Sequence, residues 1–112
     1  MPRLAILVLV SGSVLLGCGP TQSTSLIMDA DNQLEAAKSA DAQKLAPYEY
    51  TAADAYLHKA REEQGYADYE VSIGFAQKAL DFAKQAKEIS LQKVKEGSEP
   101  GGGTLTTPTT NP

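Results

Sequence analysis

Apolar positions along the chain change their pattern several times. Leu4 to Leu16 is a mostly apolar run, broken by Ser11, Gly12 and Ser13 and preceded by Arg3. Gly19 to Thr24 is polar and reads as a tether. Beyond it Ile27, Ala30, Leu34, Ala37 and Leu45 keep one helical face, interrupted by Asp41, which predicts a first helix over about 25–45 with Ser25 as its N-cap. Asp29 and Asp31 fall in its first turns, where the helix dipole favours negative charge. Pro47 disfavours helical geometry at Ala46 and should end or break that helix.

A second helix follows over about 48–64, its stripe formed by Ala53, Tyr56, Leu57 and Ala60. Gly65 is the natural stop, because glycine takes the left-handed turn at little cost, and Asp68 is the next N-cap. The third helix, about 68–96, carries Val71, Ile73, Phe75, Ala76, Ala79, Leu80, Phe82, Ala83, Ala86 and Ile89. These occupy an arc of about 200°, whereas packing against one neighbour needs roughly 100°. Two neighbours are implied. The fold class expected is therefore all-α, an antiparallel three-helix bundle. At a rise of 1.5 Å per residue the third helix is about 42 Å long and the second about 25 Å, so the end with Ile89, Leu91 and Val94 should project beyond its partner. Residues 97–112 hold four Gly, three Pro and five Thr with almost no apolar content, the composition of a disordered tail.

Composition narrows the function. The chain has 112 residues, 10 Lys+Arg against 14 Asp+Glu, and a net charge of −4. Such a balance disfavours a nucleic-acid partner held through phosphates. One Cys and one His cannot make a zinc site on their own. No nucleophile, base and orienting group occur together, so the chain reads as non-enzymatic, with no cofactor and no small-molecule substrate.

The apolar run is shorter than the roughly 20 residues needed to span a bilayer. A cationic start, a short apolar core and small residues before a cut site describe an export signal over 1–17. The run ends in Leu15-Leu16-Gly17-Cys18, which resembles the lipobox of bacterial lipoproteins. The resemblance implies cleavage between Gly17 and Cys18, with the Cys18 thiol joined to diacylglycerol through a thioether. Leu16 stands where that family usually has a smaller residue. Gly19 in place of Asp implies, by the sorting rule of enteric Gram-negative bacteria, an outer-membrane lipoprotein facing the periplasm. Its membrane partner is then reached through the lipid anchor, with 18–24 as the lipidated tether and 25–96 as the helical domain.

Two further resemblances cover parts of the helical region. Asp68-Tyr69-Glu70, Ile73 and Lys78-Ala79-Leu80 resemble the second helix of a tetratricopeptide repeat, with Tyr56 and Ala60 at matching first-helix positions. Lys59, Glu63 and Ser72 depart from that pattern, and a single repeat is fewer than the three an array needs. Ala46-Pro47-Tyr48-Glu49-Tyr50-Thr51-Ala52-Ala53, continued by Tyr56-Leu57, Lys59 to Glu63, Tyr66, Asp68-Tyr69 and Ala76 to Ala79, resembles short helical envelope lipoproteins that sometimes precede an OmpA-like domain. No such domain follows in this sequence, so peptidoglycan binding does not carry over.

All five Tyr and the single His lie between residues 48 and 69. Tyr48, Tyr50 and Tyr66 are the candidate partner surface, because each ring offers apolar area and a hydroxyl at low entropic cost. Tyr56 and Tyr69 are core candidates. His58, between Asp54 and Glu62, reads as part of a solvated helix face. The expected function is a membrane-tethered helical module that docks an envelope protein or has a structural role. A pilotin-like assembly factor and a peptidoglycan-associated tether are the alternatives.

Overall fold

A computed structural model describes residues 18–98, and these are all-helical, with no strand among them. The elements are α1 (Cys18–Ser39), the short α2 (Ala42–Leu45), α3 (Pro47–Gly65) and α4 (Tyr69–Ser98). The proposed export signal, including Gly17, and residues 99–112 of the tail lie outside the described residues.

The helical region begins earlier and ends later than the hydrophobic pattern suggests. Gly19 to Thr24, read as a tether, forms the opening turns of α1, and Ser25 is an interior helical residue and not an N-cap. Pro20 is tolerated because it lies in the first turn, where its missing N–H has no helical acceptor. Burial drives the extension: Ser23 is fully buried, one step before Ile27, Ala30, Leu34 and Ala37 on the same face. At the other end Gly97 and Ser98, assigned to the tail, still belong to α4.

The predicted first helix is divided in two. Asp41 adopts φ 62°, in the left-handed region, and separates α1 from α2. Its N–H donates to the Lys38 carbonyl at 3.0 Å, and its own carbonyl accepts from Lys44 and Leu45. Pro47 acts as expected: Ala46 leaves helical geometry (φ −139°, ψ 58°) and Pro47 opens α3.

The α3–α4 turn differs in one respect. α3 ends at Gly65, but the left-handed residue is Ala67, at φ 62°. Asp68 N–H donates to the Glu63 carbonyl at 2.9 Å and Ala67 N–H to the Gln64 carbonyl at 3.0 Å, the bond pair of a Schellman motif. The Asp68 carboxylate then accepts from the Val71 N–H at 3.3 Å and caps α4.

Buried positions alternate in steps of four and three. On α1 they are Ser23, Ile27, Ala30, Leu34 and Ala37; on α3, Ala53, Leu57 and Ala60. On α4 they are Ser72, Ala76, Ala79, Ala83, Ala86 and Ser90. The α4 seam contains nothing larger than Ser, which lets its backbone approach both neighbours closely. α4 accordingly packs extensively on α3 and on α1, while α1 and α3 touch less. The large residues expected inside lie elsewhere: Phe75, Leu80 and Phe82 are half-buried beside the seam, and Val71 is exposed.

Polar contacts tie the same elements together. Ser23 pairs with Ser72 at 2.7 Å, Lys87 donates to Gln33 at 3.4 Å, and Lys93 donates to the Leu45 carbonyl at 2.6 Å. Between α1 and α3, Gln64 donates to Thr24 at 2.9 Å and Arg61 pairs with Asp31 at 2.9 Å. Past Ser90 every described residue of α4 is exposed, including Leu91 and Val94, so this end projects beyond the α2–α3 connection, whereas Ile89, expected to project with them, is half-buried against Ala37, Ala42, Ala46 and Ala86.

Candidate functional site

Cys18 is the first residue of α1, exposed and with a free thiol. The chain behind it is held firmly. A Cβ built on Gly19 would sit 3.5 Å from Tyr69 Cβ, in ordinary contact, and one turn further Ser23 is locked to Ser72. An open groove of about 610 Å³ adjoins the thiol, lined by Cys18, Thr21, Gln22, Ser25, Leu26 and Gln77. Cys18, Gly19, the Gly65–Asp68 turn and Tyr69 therefore share one end of the molecule.

The three tyrosines read as a candidate partner surface, Tyr48, Tyr50 and Tyr66, differ in exposure and position. Tyr48 is 71% exposed on α3 and meets Phe82 edge-on at 6.1 Å. Tyr50, two residues on, is half-buried against both core clusters, including Ala37, Ala42, Ala46 and Ala86, and its hydroxyl accepts from Gln43 at 3.4 Å. Tyr66 is 75% exposed in the α3–α4 turn, at the Cys18 end. Successive residues of a helix point about 100° apart, so Tyr48 and Tyr50 point roughly 160° away from each other and cannot share a face.

The aromatic face that does exist was only partly visible in the sequence. Tyr56 lies nearly parallel to Phe82 (5.7 Å, 12°) and to Phe75 (6.1 Å, 25°). The Lys78 ammonium sits 5.5 Å from the Tyr56 ring centre and 6.0 Å from that of Phe75. The signal was available in spacing: Phe75, Lys78 and Phe82 recur at three and four residues on α4, facing Tyr56 across the helix pair. A shallow groove lined by Pro47, Tyr48, Thr51, Ala52 and Ala55 runs along α3.

His58 is exposed, about 100° round α3 from the buried Leu57. Among the described residues no group of His, Cys, Asp and Glu is placed to hold a metal ion. Among them, too, no helix is long and apolar enough to cross a membrane. Compared with protein-family models, with curated proteins and with solved structures, the chain matches none.

Proposed function

We propose that the chain is a non-enzymatic outer-membrane lipoprotein facing the periplasm, acylated at Cys18, whose helices form a membrane-anchored interaction or structural module of the cell envelope. The single observation that carries this reading is the position of Cys18. It closes the Leu15-Leu16-Gly17-Cys18 sequence at the end of a short apolar run, and it stands exposed at the start of a folded helical body. Within this reading the helices run up, down and up. Pairings of Ser23 with Ser72 and Gln33 with Lys87 ascend together along α1 and α4, while those of Thr24 with Gln64 and Asp31 with Arg61 run in opposite senses along α1 and α3.

The test is the mass of the N-terminal peptide of the protein extracted from membranes, with phase partition in detergent. The expected product begins at Cys18, carries acyl chains and enters the detergent phase. Cys18→Ser should be uncleaved or released from lipid. An uncleaved wild-type chain, or a Cys18 peptide of unmodified mass, would refute the proposal.

A further inference from the structure

We infer that the end of the helical body formed by Cys18, Gly19 and the Gly65–Tyr69 turn is itself a membrane-contact surface, one that rests on zwitterionic lipid headgroups and holds the helices upright. The inference deepens the proposed acylation of Cys18 and rests on it. Lipid-anchored bodies on flexible tethers can tumble. Here no tether is present among residues 18–24: all are helical, Gly19 lies against Tyr69, Ser23 is hydrogen-bonded to Ser72, and Thr24 accepts from Gln64. Cys18 lies five residues before Ser23, so an acylated thiol is only about 7–8 Å beyond the first buried contact with α4. The bilayer surface and the α3–α4 turn are then at the same level.

The chemistry of that turn fits the assignment. Tyr66 is 75% exposed and has the amphipathic ring favoured at the membrane–water interface. From Lys59 to Glu70 there are two basic and four acidic side chains. Both basic groups are engaged, Lys59 with Glu62 at 3.2 Å and Arg61 with Asp31 at 2.9 Å. Glu63, Asp68 and Glu70 make no ion pair among the described residues. An acidic rim of this kind is repelled by anionic lipid at low salt but not by net-neutral phosphatidylethanolamine, whose ammonium groups can donate hydrogen bonds to its carboxylates. With this end down, Lys44 and Glu96 stand roughly 30–40 Å above the headgroups.

The acylated full-length protein is placed in phosphatidylethanolamine–phosphatidylcholine vesicles carrying a headgroup-attached quencher. Acylation leaves no free thiol, so the single-cysteine variants Tyr66→Cys, Lys44→Cys and Glu96→Cys each accept one fluorophore. All three positions are exposed, and circular dichroism checks that each variant is helical. Quenching should be several-fold stronger at position 66 than at 44 or 96. Replacing part of the lipid with phosphatidylglycerol at low salt should reduce it at 66. Equal quenching at the three positions with Cys18 acylated would overturn the upright placement alone. Stronger quenching at 66 on anionic lipid would overturn the charge argument. A Cys18 of unmodified mass would instead sink the acylation on which both depend.

Discussion

Ser23 and Ser72 are both fully buried and share a hydrogen bond at 2.7 Å, although 49 residues separate them. The direction of the bond follows from a third group. Ser72 Oγ donates its proton to the Ala60 carbonyl at 2.8 Å, so the Ser23 hydroxyl is the donor to Ser72. One relay of two hydroxyls therefore joins α1, α4 and α3 at the Cys18 end. It turns a stretch with weak helical composition into a fixed part of the fold.

That relay makes its two members unequal. Ser72→Ala removes an acceptor and leaves the buried Ser23 hydroxyl without its interhelical partner, at a cost of about 1–3 kcal/mol. Ser23→Ala leaves the bond from Ser72 to Ala60 intact and should cost only about 0.5–1.5 kcal/mol. The double variant should lose less than the sum of the two, because neither hydroxyl then remains to be satisfied. Urea denaturation of the four proteins measures the coupling. Strict additivity would mean that the contact carries no energy.

Ala67 occupies the left-handed position of the Schellman turn, at φ 62°, where its Cβ costs roughly 1–2 kcal/mol. Ala67→Gly relieves that strain but gives back about 0.4–1 kcal/mol through the freer unfolded chain. The net expectation is a gain of about 0.5–1 kcal/mol, read as a higher urea midpoint with an unchanged slope. Gly65→Ala in the last turn of α3 should be neutral or slightly stabilising. The turn does not use the conformational freedom of Gly65, and a Cβ there meets nothing within 4 Å.

Much of the architecture was legible. Ala-rich composition, the break at Pro47 and the face formed by Ala53, Leu57 and Ala60 follow from local rules that tertiary packing did not override. Three features were not. Asp41 looked like a flaw in one long helix, because a single polar residue in an apolar stripe does not reveal a left-handed backbone. Ser23, Ser72 and Ser90 count as polar in any hydrophobic pattern, yet all three are buried. What qualifies them is size and four-three spacing, which only the close helix approach makes decisive. The same substitution of size for hydrophobicity moved Phe75, Leu80 and Phe82 out of the core. For the candidate site, the choice of Cys18 was readable from the end of the apolar run, and the structure shows it exposed as the first residue of α1. Which tyrosines share a face was not, because it depends on how α3 is rotated against its neighbours.

Tyr48 and Tyr50 should separate cleanly. Tyr48 is exposed and held mainly by its edge contact with Phe82, so Tyr48→Ala should change stability by no more than about 0.5–1 kcal/mol. Tyr50 joins both core clusters, and Tyr50→Ala should cost about 2–3 kcal/mol. A binding defect in Tyr50→Ala would therefore be confounded with unfolding, whereas one in Tyr48→Ala would mark a surface. Thermal melts of both variants give the comparison, and equal melting temperatures would contradict the packing assigned to Tyr50.

The α4 seam offers the sharpest contrast, between two residues three positions apart. Leu80 looks like the more important core residue from its size, but it is half-buried, whereas Ala83 is fully buried between neighbouring helices. Leu80→Asp removes part of an apolar contact and lets the carboxylate reach water, a loss of about 1–2 kcal/mol. Ala83→Asp places an unpaired charge where no water reaches, at several kcal/mol. Ala83→Leu should also destabilise, by about 1–3 kcal/mol or more, because the added atoms must force the helices apart. Circular dichroism at 222 nm during a thermal melt would rank the three. The expected order of stability is Leu80→Asp above Ala83→Asp, with Ala83→Leu below wild type although it is the more hydrophobic side chain. If Ala83→Leu were instead stabilising, the seam would have room for larger residues and the close approach of α4 to its neighbours would be wrong.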